Sequence, residues 1–250
     1  MIVSLLERVH VMEPKIDVYD DFADEYAELV AKREEEGIEN EPLVPRLLEV
    51  IGNVSGLTVL DAGCGEGYLG RILARRGANV TGIDISPRLI RVARSRDAEG
   101  RIDYRVADLS QPLSDYKQHF DLIASHFVLN DVYDYQGFLA TLSSVVKDEG
   151  RLVLSMNNPY SYVVRNHLKN YFDSGRAFSY RGLTLEGIKV HFYQRTLEEY
   201  LDAALAAGFQ LQRLVDVPTP EQFFHNMSDK LLPRGYQFPY FMILSFAKRS

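Results

Sequence analysis

The sequence predicts an α/β protein, built on a mostly parallel sheet of seven strands with helices on both faces. Short apolar runs alternate with amphipathic helical segments from Leu57 to Met156, and strand–helix alternation at this period implies parallel strands joined by crossover helices. Two further apolar runs, Phe209–Val215 and Tyr240–Ala247, follow the last long helical pattern and complete the sheet. The composition, 46% hydrophobic and 25% charged over 250 residues, is that of a globular chain long enough to bury a core without staples.

The elements follow in order. Phe22, Tyr26, Leu29 and Val30 share one helical face. Asp20 or Asp21 can cap that helix, Gly37 ends it, and Glu34-Glu35-Glu36 reads as its solvated end. A second helix covers Pro42 to Ile51. The strand runs are then Leu57–Leu60, Val80–Ile83, Ile102–Val106, Phe120–Ala124 and Leu152–Met156. Helical stretches near Tyr68–Arg76, Pro87–Arg94 and Gln136–Val146 separate them, with Gly77 and Gly150 where the chain turns back. Ser86-Pro87 reads as an N-cap followed by proline at the first helical position. Arg88, Arg91, Arg94 and Arg96 read as a solvated helix face. Asn157 to Arg195 breaks the alternation and is rich in Tyr and Phe, as a lid would be. Thr196 and Glu199 then form a capping-box pattern, and Gly208 closes the helix they open.

The net charge of −7 and pI near 5.4 argue against broad nucleic-acid or anionic-membrane binding. The single cysteine, Cys64, cannot form an internal disulfide, so a cytoplasmic setting is expected. No apolar run reaches the ~18 residues of a membrane span, and Glu7 and Arg8 end the apolar start too early for a signal peptide. The histidines are scattered without H-E-x-x-H spacing, so no metal is expected.

The segment Asp61-Ala62-Gly63-Cys64-Gly65-Glu66-Gly67-Tyr68 joins the first strand of the sheet to its first crossover helix. Ligands of such sheets bind outside the carboxyl ends of the strands. A dinucleotide fingerprint needs a third glycine at 68, where this chain has Tyr68. Asp61 would also repel a pyrophosphate and suit an ammonium group. Asp84 ends the second strand, where a carboxylate can accept both ribose hydroxyls, and Asp108 ends the third, within reach of an adenine amino group. Together these specify a nucleoside with a cationic tail and no phosphates, the composition of S-adenosylmethionine.

The glycine segment resembles motif I of the class I S-adenosylmethionine-dependent methyltransferases. Val80–Ser86, Asp103–Leu109, Phe120–Ser125 and Glu149–Leu154 are similar to the family's following strands, in order. The resemblance implies a Rossmann-like fold and a single methyltransferase domain over 1–250. It divides into an N-terminal helical cap (1–54), a cofactor-binding core (55–156), a substrate lid insertion (157–195), and a C-terminal helix with the last two strands (196–250). It also implies that Gly63 and Gly65 contact the methionine part of the cofactor with Asp61 assisting, and that Asp84 holds the ribose. Ile85 would pack on the adenine, Asp108 would bond its amino group with Leu109 alongside, and the backbone at Ser125 would hold the ammonium group. Tyr19 or Tyr26 would cover the cofactor.

Methyl transfer is an in-line displacement that mainly requires alignment and exclusion of water. A base helps only where the acceptor must lose a proton. Position past the fourth and fifth strands makes Asn130, Tyr133, Asn157 and Tyr160 candidates for holding the acceptor, with Tyr193 and Arg195 beside the last long helix. Arg195 binds an acidic substrate or caps a helix. His191 is the candidate base, and His126 reads as a strand-end histidine with a structural partner. The leading expectation is an enzyme that methylates an O, N or C atom of a small molecule. One alternative is a tRNA nucleoside-modification methyltransferase, because Leu152–Gly175 loosely resembles that segment in bacterial tRNA wobble-uridine carboxymethyl methyltransferases. Another is a partner protein that binds S-adenosylmethionine without turnover. The sequence leaves the acceptor and the oligomeric state open.

Overall fold

The computed structural model describes residues 18–37, 43–161, 170–175, 177–181, 189–218 and 239–249. Its strands are β1 (Thr58–Ala62), β2 (Asn79–Asp84), β3 (Asp103–Val106), β4 (Phe120–His126), β5 (Val146–Asn157), β6 (Ala177–Arg181), β7 (Lys189–Tyr193), β8 (Phe209–Pro218) and β9 (Pro239–Lys248). Its helices are α1 (Ala23–Glu36), α2 (Leu43–Ile51), α3 (Tyr68–Arg75), α4 (Pro87–Arg96), α5 (Tyr135–Val145) and α6 (Leu197–Ala206).

Seven strands form one sheet in the order β3-β2-β1-β4-β5-β9-β8. The first five are parallel to one another, while β9 lies antiparallel between β5 and β8. Successive strand residues point to opposite faces, and the core divides accordingly. Val59, Leu122 and Val153 face the layer of α2, α3 and α4, with Leu47, Ile72 and Ile90. Leu60, Ile123 and Leu152 face α5 and α6, with Phe138, Leu142 and Tyr200. Each fully buried Leu or Ile contributes about 2 kcal/mol, so the crossover helices are held mainly by these layers. Among the described residues no helix is long and apolar enough to cross a membrane.

Local signals explain the helix starts. Ser86 Oγ accepts from the Leu89 amide at 3.1 Å and Pro87 follows at the first helical position. Thr196 and Glu199 complete the expected capping box on α6.

Other local readings are corrected. Asp20 sits in a 3-10 turn (Val18–Phe22) ahead of α1, but its Oδ1 accepts from the Ser86 hydroxyl at 2.6 Å and the Arg88 amide at 2.9 Å. It therefore caps α4, and the Ser86 hydroxyl holds the Asp20 carboxyl below its usual range. In the turn after α5 it is Glu149, next to Gly150, that takes a positive φ, +64°. The arginines of α4 are not simply solvated: Arg88 pairs with Asp24, Arg94 donates to the Tyr104 carbonyl, and Arg96 pairs with Glu66. Glu34, in the acidic run, accepts from Arg71 at 2.9 and 3.0 Å. Within the 157–195 insertion, β6 and β7 form an antiparallel hairpin, and β7 packs against the Val18–Phe22 turn.

Candidate active site

The loop after β1 turns three times through left-handed backbone, at Gly63 (φ +75°), Gly65 (+56°) and Gly67 (+87°), which only glycine adopts without strain. The Gly63 and Cys64 amides donate to the Ile83 carbonyl, at 2.8 and 3.0 Å, and so fasten the loop to the end of β2. A Cβ on Gly63 would lie 2.3 Å from Val128. Over Gly65 the nearest atom to an added Cβ is Tyr26 Cε1 at 3.8 Å, so the N-terminal helix stands above the loop without filling it.

Asp84 lies beside this opening. Its Oδ2 accepts from the Gly65 amide at 2.8 Å and its Oδ1 from the Ser86 amide at 2.9 Å. A carboxylate oxygen accepts more than one hydrogen bond, so each retains capacity for a donor such as a hydroxyl. Burial pushes the Asp84 carboxyl above its usual range. Asp61 is buried beside Gly70 of α3, not at the mouth of the loop, and its Oδ2 has no hydrogen-bond partner among the described residues. Burial pushes its carboxyl up to about 7.

Asp108 accepts from the Ser110 amide at 2.8 Å and the Ser110 hydroxyl at 2.5 Å, both on Oδ1, and so shapes the turn after β3. Ile85 is half-buried at the end of β2 and Leu109 is core. Ser125 Oγ donates to the Ala62 carbonyl at 2.8 Å, tying the ends of β4 and β1 together. His126 has the structural partner its position suggested, Ser155, with Nδ1 and Oγ 2.5 Å apart. Phe127 then leaves the strand at φ +59°, a conformation costly for a bulky residue.

The acceptor candidates fall into two groups. Tyr133 is exposed and lies edge-on to Tyr193, 5.4 Å between ring centroids; Tyr160 is exposed and stacks on Tyr171 at 4.8 Å. The buried candidates are committed to bonds within the chain. The Asn130 side chain donates to the Tyr200 hydroxyl and accepts from the Asn157 amide at 3.0 Å, while its carbonyl accepts from the Tyr193 amide at 2.8 Å. Arg195 is only 4% exposed, donates to the Val132 and Tyr133 carbonyls, and lies over the rings of Tyr135 and Tyr193. It clamps the loop after β4. The backbone of His191 pairs with Ser179 in the hairpin; its side chain lies outside the described residues.

Sequence reasoning passed over Asp131. Tyr19 donates to its Oδ2 at 2.6 Å, bridging the N-terminal turn and the loop after β4. Its place just past a strand end was the signal that pointed to it. Glu66 was also missed as an anchor. It is 1% exposed and pairs with Arg71 at 3.0 Å and Arg96 at 2.8 Å.

The family model described as a methyltransferase domain matches residues 53–177, half of the chain. The chain belongs to the methyltransferase-domain family that this model describes. One stretch of the chain is 40% identical over 107 residues to the ubiquinone biosynthesis O-methyltransferase of Xylella fastidiosa (strain 9a5c), covering 42% of this chain and 44% of that protein. Another is 40% identical over 117 residues to the demethylmenaquinone methyltransferase of Tropheryma whipplei (strain Twist), covering 46% and 48%. The chain thus spans about half the length of the curated relatives it matches. The fold is similar to that of an S-adenosylmethionine-dependent methyltransferase from Mesorhizobium loti, with TM-score 0.62 and 22% identity over 85% of this chain and 100% of that one.

The residues present fit S-adenosylmethionine, the cofactor named for the Mesorhizobium loti neighbour. The space over Gly65 is open, and Asp84 offers a paired acceptor for a diol. Asp84 at the end of β2 and Asp108 just past β3 present carboxylate acceptors suited to hydroxyl and amino groups and hostile to phosphate.

Proposed function

We propose that this protein transfers the methyl group of S-adenosylmethionine to a hydroxyl oxygen of a small, planar acceptor. The observation that carries the reading is the Asp84 carboxylate, anchored by two backbone amides beside an open glycine loop, with aromatic side chains along the neighbouring strand ends. The names of the relatives, an O-methyltransferase of ubiquinone biosynthesis and a demethylmenaquinone methyltransferase, point to ring acceptors. The net charge of −7 weighs against an RNA acceptor.

Bound S-adenosylmethionine supplies a methyl group on a sulfonium leaving group. The chain's own part is to bind and align. Asp84 accepts the ribose hydroxyls, Asp108 the adenine amino group, and Ile85 and Leu109 flank the base. The Gly63–Gly65 backbone and the carboxyl end of β4 at Ser125 receive the methionine part, with Asp61 acting from below. Tyr26 closes over the loop and excludes water. Tyr133 and Tyr160 offer ring faces for a planar acceptor, Tyr193 backs Tyr133 edge-on, and Asn130, Asn157 and Arg195 hold the surrounding loops in place.

Calorimetric titration with S-adenosylmethionine and S-adenosylhomocysteine, with NAD as control, tests the first half. Transfer of labelled methyl groups to catechol, against bulk tRNA, tests the second. Binding of both sulfur nucleosides with catechol labelling supports the proposal. Labelling of tRNA with a steep salt dependence would replace it with the RNA reading, and binding without turnover on any acceptor would leave a non-catalytic partner protein.

A further inference from the structure

Tyr19 leaves the Val18–Phe22 turn to meet Asp131, which lies 112 residues away in sequence. The Tyr19 ring stands 5.6 Å from that of Tyr26, whose edge is the nearest group above Gly65. Asp131 follows the carboxyl end of β4, the strand next to the glycine loop's own strand. The pair therefore spans the gap between the N-terminal cap and the strand ends where the acceptor would lie. We propose that Tyr19 and Asp131 form a proton relay that removes the acceptor's hydroxyl proton during methyl transfer, an inference that rests on the hydroxyl-acceptor reading above.

The step balances. A lone pair of the acceptor oxygen forms the new C–O bond. The C–S bond breaks and its electron pair returns to sulfur. The acceptor's proton moves to the Tyr19 oxygen as the Tyr19 proton passes to Asp131 Oδ2, along the 2.6 Å hydrogen bond already present. Tyr19 touches the acceptor, and Asp131 acts through it. The released proton leaves from Asp131, restoring the carboxylate.

The surroundings suit a carboxylate that must gain and lose a proton near neutrality. Burial pushes the Asp131 carboxyl up to about 7, against the pull of the Tyr19 hydroxyl and the Arg195 guanidinium. The titratable groups around it are Tyr19 from the N-terminal turn, Tyr193 from β7, Arg195 ahead of α6, and Tyr200 from α6. Arg195, the one cation of this set, is fixed by carbonyls of the next two residues, Val132 and Tyr133. It favours the carboxylate without neutralising it through a direct pair.

The test uses the full chain and the near-isosteric variants Tyr19→Phe and Asp131→Asn. In the ligand-free protein, the Asp131 carboxyl is followed by carbon-13 NMR across pH and assigned by its loss in Asp131→Asn. Tyr19→Phe removes a bond that favours the carboxylate, so the titration should move to higher pH. In turnover, both variants should lose about 100-fold or more of kcat on catechol, and Asp131→Asn should abolish the acidic limb of the pH profile. On nitrocatechol, which ionises without help, the deficit should shrink below about tenfold, with S-adenosylmethionine affinity held within about threefold. An unmoved titration, or an equal deficit on both acceptors, would reduce the pair to a latch and overturn the relay. If the wild-type protein binds S-adenosylmethionine but methylates neither catechol, the hydroxyl-acceptor reading falls and the relay with it. If it methylates both and the variants match it, the relay alone fails.

Discussion

Replacing Glu66 by glutamine should destabilise the fold by about 2–3 kcal/mol. Glu66 is 1% exposed, and its Oε2 accepts from Arg71 at 3.0 Å and from Arg96 at 2.8 Å. Removing one partner of a buried ion pair costs about 3–5 kcal/mol, because the remaining charge is left in a poor solvent. Two features reduce that figure here. Arg71 keeps Glu34 at 2.9 Å, and Arg96 keeps the Ala27 carbonyl at 2.9 Å with a quarter of its side chain in water. The Tyr68 amide, 3.1 Å from Oε1, still finds an oxygen in the amide. For a chain of this length each kcal/mol moves Tm by about 2–4 °C, so thermal unfolding followed by circular dichroism should show a loss of about 4–12 °C. Both arginines also hold α1, so trypsin should cut near α1 faster in the variant. A change in Tm below about 1 °C would mean that solvation replaces the pairs, and would refute the view that Glu66 anchors the cap.

Asp84→Ala should weaken S-adenosylmethionine binding by about 100-fold or more, since hydrogen bonds to a charged group contribute about 1.5–3 kcal/mol each; unchanged affinity in calorimetry would dismiss the ribose assignment. Gly63→Ala places a methyl group 2.3 Å from Val128 at a φ of +75° and should destabilise by about 2–4 kcal/mol, with Val128→Ala restoring only the steric part; urea unfolding of the single and double variants would check this. Asp61 titrates at about 7 in the fold against an ordinary 3.8, so between those values the native state holds a proton that the unfolded chain has lost. Relative to Asp61→Asn, the wild-type protein should therefore lose up to about 1.4 kcal/mol of stability per pH unit as pH rises through that window. A pH-independent difference between the two in denaturant titrations would exclude a buried, protonatable Asp61.

The sheet was legible because a doubly covered parallel sheet writes itself into sequence as short apolar runs at helix-length intervals. The caps at Ser86 and Thr196 were legible because each is closed within three residues. What escaped was held by partners far apart in the chain. Asp20 looks like a local cap until Ser86 is brought to it, and Glu34, Arg71, Glu66 and Arg96 look like solvated charges until three helices converge. The hairpin was obscured because Ala177–Arg181 and Lys189–Tyr193 are short and interrupted by polar residues. In the candidate site, residue types and strand ends could be read from sequence. The commitment of Asn130 and Arg195 to backbone groups, and the meeting of Tyr19 with Asp131, depend on tertiary contact and left no local trace.

The position of β9 has a consequence for the nascent chain. The strand that lies between β5 and β8 begins only at Pro239, so both neighbours leave the ribosome before the element that separates them. Until it arrives, β5 presents a row of unpaired amides and carbonyls along an apolar ribbon, open to premature pairing with β8 or with another chain. Deleting β9 would leave β5 and β8 unjoined and the sheet in two pieces. Yield of native protein should therefore respond to synthesis speed and to chaperones more than its native-state stability would suggest.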